Sequence, residues 1–254
     1  VSAFDGSKLT GGDSEGKIPM NKLNLSIVYP VYDNTKMAQR FRHDPNAKSG
    51  QLYLSPGEIG CIYSHVSVWK KIAANADSDL DDYHYSCIFE DDHAPVRDFK
   101  QKRSQLLDDL SLDEPVDLLY LTYRNGDARG TIRTSNYTII SSLLWITSGY
   151  CLSANGARKL LAKLPVDRGL DVWMSHQFPL MRVRAATPVL LQHTNYGGGN
   201  IRHSDMIVER FRQHSEKKYD PKYLPSFQFV ANHVINLDKH TDRLRSFEQR
   251  FHSQ

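Results

Sequence analysis

Cysteine is scarce in this chain. Three stand among 254 residues, Cys61, Cys87 and Cys151, and none shares a CxxC spacing. An odd, scattered set argues against a disulfide scaffold and against a cysteine-rich zinc module. Each has apolar neighbours, which predicts three buried free thiols and a reducing compartment. Long apolar runs are missing as well. No stretch nears the roughly 18 residues that span a bilayer, and no leader pattern opens at Val1. Cytoplasmic location is therefore expected. Since the chain does not open on Met, residues ahead of Val1 are also expected. Charge of one sign is nearly balanced: 32 Lys and Arg against 29 Asp and Glu leave +3. That is too little to argue for nucleic acid. It suits phosphate-bearing ligands, or peripheral contact with an anionic membrane face. Internal repeats and low-complexity tracts are absent, and nothing in the sequence bears on oligomeric state. The length suits one large domain, or one domain with a small extension.

Strand-like apolar runs alternate with helix-like segments, which predicts an α/β fold. Strands are expected at Leu25 to Tyr29, Tyr85 to Phe89, Leu118 to Thr122, Pro188 to Leu191 and His233 to Leu237. The clearest helix follows Ser55. Ile59, Ile62, Val66, Trp69 and Ile72 recur at spacings of three and four, a single buried stripe. Ser55 as cap, Pro56 in the first turn and Glu58 three residues after Ser55 make a capping box. A second helix is expected over Asn155 to Leu164, with Ser153 near its cap and Leu160, Leu161 and Leu164 inward. A third is expected over Asp242 to Phe251, capped by Thr241, with Leu244, Phe247 and Phe251 on one face. Gly6 to Asn21 reads as a mobile loop. Arg202 to Pro225 reads as a basic surface helix followed by a linker.

The strand at Tyr85 to Phe89 runs straight into Glu90-Asp91-Asp92. Three adjacent carboxylates repel one another, which raises their pKa values unless something compensates. A hard divalent cation, Mg²⁺ or Mn²⁺, is one compensation, and such ions share their oxygen ligands with substrate phosphates. In extended chain, residues two apart point the same way. Glu90 and Asp92 would then face one ion and Asp91 the other side. Strand ends are also where open α/β sheets bind ligands. Taken alone, the triplet is equally well an acidic loop that caps the next segment or pairs with Arg97.

The flanks narrow this. Leu54-Ser-Pro-Gly-Glu-Ile-Gly-Cys-Ile-Tyr-Ser-His65, continuing to Trp69, resembles the PGEIGC…SH signature of glycosyltransferase family 25, the lipooligosaccharide galactosyltransferases and their relatives. Glu90-Asp91-Asp92 followed by Asp98-Phe99 resembles that family's EDD motif. Thr147 to Ala157 with Lys159-Leu160-Leu161, and Pro165 to Trp173 with Asp167 and Asp171, resemble its next two blocks. His233-Val-Ile-Asn-Leu-Asp238 with Asp242-Arg243 resembles the family's opening strand and helix, and Val1 to Gly6 the strand that follows them. The order is displaced: the opening block closes this chain. A circular permutation accounts for this, with residues 1–226 forming the main part of one catalytic domain and residues 227–254 its displaced first strand and helix. Exposed loops tolerate such cuts. A fragment of a tandem protein is the rival account.

The resemblance implies a GT-A type, Rossmann-like sheet and inverting transfer of galactose from a UDP-sugar, with Mn²⁺ or Mg²⁺ as cofactor. Asp92 and then Glu90 are the expected metal ligands, with Asp91 near the donor ribose or sugar. His193, with His203 in reserve, is the expected later histidine ligand, or else a hydrogen-bonded strand-end residue. Asp171 is the expected base, with Asp167 its competitor and a helix cap the alternative for either. Trp173 is a sugar platform or a core residue. Asn236, Leu237, Arg243, Asp5 and Gly6 are expected at the nucleotide, Arg243 on phosphate, and His65 at the edge of the donor site. Ser64 and His65, adjacent on a helix, do not face one another, so a hydrolase dyad is not expected. Gly197-Gly198-Gly199 lacks the lysine and spacing of a P-loop. The few cysteines and the compact length favour a lipooligosaccharide core acceptor; hydroxylysine in collagen belongs to the family's secretory branch. Two readings compete: a nucleotidyltransferase on a related sheet, disfavoured because INLDKHTDR has no glycine, and a non-catalytic carbohydrate-binding protein, disfavoured by the intact triplet.

Overall fold

The computed structural model describes residues 3–5, 23–28, 54, 56–74, 84–111, 114–125, 132–133, 136–141, 143–193, 228–235 and 241–252. In chain order the elements that build the core are α1 (Pro56–Ala74), β1 (His84–Glu90), β2 (His93–Pro95), α2 (Phe99–Ser111) and β3 (Leu118–Tyr120). Four short strands follow, β4 (Arg124–Asn125), β5 (Ile132–Arg133), β6 (Tyr137–Ile139) and β7 (Leu144–Trp145). Then come β8 (Gly149–Ser153), α3 (Ala154–Leu161), α4 (Leu170–Ser175), β9 (Val183–Ala186), β10 (Leu191–His193), β11 (Gln228–Ile235) and α5 (Thr241–His252). Seven strands form one mixed sheet in the order β11-β1-β8-β3-β9-β6-β5, and β10 pairs with β2, and β4 with β7, in two small antiparallel ladders. The α/β expectation holds.

Alternate side chains of each central strand go to opposite faces. Ile88, Leu118, Tyr120, Tyr150, Leu152 and Val183 face α1, α3 and α4. Tyr85, Cys87, Phe89, Leu119 and Cys151 face α2 and α5. Both faces are covered, which is why β1 and β8 are largely apolar and buried at nearly every position. The α1 stripe is buried as its spacing predicts: Ile59, Ile62, Val66, Trp69 and Ile72 are all in the core. Ser153 caps α3, its Oγ accepting from Gly156 N at 3.0 Å. That helix stops at Leu161 rather than Leu164, three residues ahead of the pre-proline position that disfavours helix.

Three expectations change. Of the strand expected at Leu25 to Tyr29, residues 25–27 form a turn and Val28 makes an isolated bridge, to Val166; Tyr29 lies outside the described residues. Asn24 Oδ1 accepts from Ser26 N and from Ser26 Oγ, a local bond that outcompetes the ladder. The strand expected at Pro188 to Leu191 begins only at Leu191, because proline has no N–H to donate to a ladder. Two of the three thiols are not free. Antiparallel pairing sets Cys87 directly opposite Cys151, and the two form a disulfide, leaving Cys61 as the free cysteine. Their separation of 64 residues hides a register that only the sheet creates. Ser55, Gly6 to Asn21, Gly197-Gly198-Gly199 and Arg202 to Pro225 lie outside the described residues.

The C-terminal strand β11 pairs in parallel with β1 along its length, Ile88 beside His233 and Glu90 beside Ile235. Behind it, α5 lays Phe247 and Phe251 against Phe89. β11 and α5 thus stand next to the acidic triplet.

Candidate active site

Glu90 ends β1, Asp91 and Asp92 form a turn, and His93 opens β2. The turn replaces the extended backbone on which the alternation argument relied. Each carboxylate consequently meets a different partner. His65 Nε2 lies 3.3 Å from Glu90 Oε1. Arg243 Nη2, from α5, reaches Asp91 Oδ1 at 2.9 Å. His93 Nδ1 lies 2.7 Å from Asp92 Oδ1, and its Nε2 lies 3.2 Å from Ser148 Oγ. The protein thus supplies a basic or hydrogen-bonding neighbour for every one of the three charges. Arg250 adds donors to the main-chain carbonyls of Asp91 and His93 at 3.5 and 3.4 Å. Arg243 and Asp91, expected on phosphate and on sugar, are paired with each other.

Asp91 is turned inward, whereas Glu90 and Asp92 are each 29% exposed. Those two open carboxylates are the ones able to take a hard cation together with phosphate oxygens. The main chain of His193 stands opposite His93 across β2 and β10; its side chain lies outside the described residues. Asn236, Leu237 and Gly6 lie outside them too. Asp5 is half-buried, in a segment held to α1 by Phe4 N donating to Ser64 Oγ at 2.8 Å and by Phe4 stacking on Tyr63.

His65 is fully buried and takes part in a chain of polar groups. Trp69 Nε1 donates to Tyr150 Oη at 2.7 Å, and Tyr150 Oη lies 2.7 Å from His65 Nδ1. The donor count is met when Tyr150 donates to Nδ1 and Nε2–H donates to Glu90. Ser64 Oγ donates instead to Gly60 O at 2.7 Å, so Ser64 and His65 form no dyad.

Asp171 sits in the first turn of α4. Its Oδ1 accepts from Val172 N at 2.8 Å and its Oδ2 from Ile146 N at 3.4 Å. Ile146 has φ 81°, a conformation that β-branched residues avoid and that concentrates at working sites. Burial, then the negative charges of Glu90, Asp171, Glu58 and Asp92, push the ionisation of the Cys61 thiol well above its ordinary value. Asp167 is instead held by Arg168 Nε at 2.8 Å. Trp173 is a core residue, stacked on Trp69 with centroids 6.0 Å apart, and offers no sugar platform. Tyr120 Oη is buried without a hydrogen-bond partner among the described residues, and burial, then Asp171, pushes its ionisation well above the ordinary tyrosine range. Tyr120→Phe is expected to leave stability unchanged or to raise it by about 1 kcal/mol, since an unmade buried hydrogen bond is lost. The urea midpoint reads this; a lowered midpoint would show that the hydroxyl has a partner.

The model of glycosyltransferase family 25, described as an LPS biosynthesis protein family, matches residues 15–169. The chain belongs to glycosyltransferase family 25. A "Glycosyltransferase 25 family member" of Aedes aegypti is 25% identical to this family 25 chain over 87% of the chain and 42% of the relative. "Procollagen galactosyltransferase 1-B" of Xenopus laevis is 30% identical over 57% of the chain and 26% of the relative. A "Probable inactive glycosyltransferase 25 family member 3" of Bos taurus is 29% identical over 57% and 27%. The chain spans between about a quarter and two fifths of the length of these relatives. Sequence reasoning passed over His93, Arg250 and Tyr150. His93 was signalled by its place directly after the triplet and Tyr150 by the Thr147 to Ala157 block; Arg250 had no local signal.

Proposed function

We propose that this domain transfers a hexose, galactose in the first instance, from a UDP-sugar to a hydroxyl acceptor on a GT-A type sheet. The observation that carries the reading is the two open carboxylates, Glu90 and Asp92, at the end of a parallel strand pair. Asp92 and Glu90, with His193, would hold Mn²⁺ or Mg²⁺, whose charge offsets that developing on the departing diphosphate. Asp171 accepts the proton of the acceptor hydroxyl as its oxygen bonds to the anomeric carbon. The bond from that carbon to UDP breaks, and its electron pair leaves with UDP. Asp171→Asn is expected to lower kcat by about 10²- to 10⁴-fold, the usual worth of a positioned base, with the donor Kd unchanged. Asp167→Asn should leave kcat within a few-fold; a larger loss there than at Asp171 would reverse the assignment.

The pairing of β11 with β1 in one sheet supports reading residues 227–254 as the displaced opening of the same domain. The Cys87–Cys151 disulfide favours an oxidising compartment. With a relative named as a procollagen galactosyltransferase, it makes a hydroxylysine peptide the first acceptor to try and lipooligosaccharide core the second. No helix of the described residues is long and apolar enough to cross a membrane. A non-catalytic role is the second reading, favoured by relatives named as inactive. A screen of UDP-sugars with and without Mn²⁺, scoring hydrolysis and transfer, separates the two: no turnover of any donor on either acceptor would leave the non-catalytic reading.

A further inference from the structure

Helix positions four apart share a face, so Cys61 and His65 of α1 are neighbours, and the end of β1 brings Glu90 against them. Among the described residues these form the one group of three or more His, Cys, Asp or Glu whose ligand atoms all lie within 4.8 Å of one another. We propose that Cys61 Sγ, His65 Nε2 and the Glu90 carboxylate form a binding site for a thiophilic divalent cation of the Zn²⁺ class. It shares Glu90 with the oxygen-rich site proposed at the triplet and adds a thiol and an imidazole.

A tetrahedral zinc site with ordinary bond lengths has an N–O edge of about 3.3 Å and an S–N edge of about 3.6 Å. His65 Nε2 and Glu90 Oε1 already stand 3.3 Å apart, so the half-buried thiol has only to close the remaining gap. The ligand types select the ion: thiolate with imidazole suits Zn²⁺, whereas Mg²⁺ and Mn²⁺ prefer oxygen. Tyr150 Oη, 2.7 Å from His65 Nδ1, is the outer partner that orients a metal-bound imidazole. When Nε2 gives its lone pair to the cation, the ring proton moves to Nδ1 and is donated to Tyr150. On binding, Cys61 releases its S–H proton to solvent and the thiolate pair bonds the ion. Burial and the negative field of Glu90 keep that proton on the free thiol; a dication reverses the local field. The exposed side of Glu90 leaves a fourth position for water. Because Glu90 serves both ion sites, Zn²⁺ here draws it away from the donor.

Co²⁺ titrated into the purified chain tests the site without measuring transfer, so its failure is separable from failure of the transferase reading. One equivalent should bind with thiolate-to-cobalt charge-transfer absorption, be displaced by Zn²⁺ and not by Mg²⁺. Cys61→Ser should abolish that absorption and weaken Zn²⁺ binding more than Tyr150→Phe, for which a loss of about 10–100-fold is expected. Zn²⁺ should also protect the wild-type chain from iodoacetamide. With Cys87 and Cys151 bonded, alkylation without reductant reads Cys61 alone and needs no variant. Cobalt binding without charge transfer, or alkylation unaffected by Zn²⁺, would overturn the proposal.

Discussion

Asp92→Ala is expected to lower transfer by about 10²- to 10³-fold, the effect of removing one preorganised stabiliser of developing charge, and to abolish the response to Mn²⁺. The expectation rests on what the three carboxylates touch. Asp91 is turned inward onto Arg243, and Glu90 is bonded back to buried His65. Asp92 is as open as Glu90 and lies 2.7 Å from a histidine of the adjacent strand, a partner that orients a carboxylate without hiding it. Asp91→Ala acts differently: it leaves Arg243 without its acid, loosens α5 and lowers the melting temperature. Mn²⁺ titrations of the donor reaction for both variants, with thermal melts alongside, read the two effects apart. If Asp92→Ala keeps wild-type transfer and Mn²⁺ dependence, the triplet is not the metal site.

The second large effect is on stability. Asp117→Ala is expected to cost about 3–5 kcal/mol, the usual loss when one member of a buried ion pair is removed, and to lower the melting temperature by on the order of 10 °C. Asp117 precedes β3 and is almost wholly buried. Its Oδ2 accepts from Lys159 Nζ and from Arg182 N, both at 2.7 Å, and its Oδ1 from Asn155 Nδ2 at 3.2 Å. One carboxylate therefore joins α3, β3 and the approach to β9. Truncation strands the Arg182 N–H and the Lys159 ammonium together. Its main chain is equally committed: a Cβ at Gly156 would fall onto the Asp117 carbonyl oxygen, which explains the glycine in the first turn of α3. Thermal unfolding of Asp117→Ala beside Lys159→Ala checks the argument, because the lysine is partly exposed and its loss should cost less. Equal losses would place the energy in the ion pair rather than in the buried hub.

The α1 stripe was legible because helix periodicity is a local property, fixed by spacings of three and four within a few turns. The strand β1 and its acidic end were legible for the same reason, an apolar run stopped by charge. Legibility failed where a contact depended on two distant strands lying in one register. Cys87 and Cys151 look like separate buried thiols until β1 and β8 run antiparallel and set them face to face. Trp173 is equally a sugar platform or a core residue in sequence; the crossing of α1 and α4 against the sheet put it on Trp69. β9 was not foreseen at all, because Val183–Ala186 carries buried Arg184, whose guanidinium lies over the ring of Tyr137 at 5.7 Å. A cation hidden by a ring reads in sequence as a surface residue.

By itself the sequence determined the family blocks, the α/β class, the position of Glu90-Asp91-Asp92 at a strand end and the spacing of Cys61 and His65 on one helix face. These depend only on neighbours in the chain. The tertiary structure decided that β11 stands beside β1, that two of the three thiols are bonded, and that His65, Arg243 and His93 each take one carboxylate of the triplet. Those outcomes follow from sheet order and side-chain burial, which bring together residues far apart in the chain, as Asp91 and Arg250, 159 positions apart. No local pattern carries that information, because the free energy that selects such pairs belongs to the packed sheet and its two helical layers.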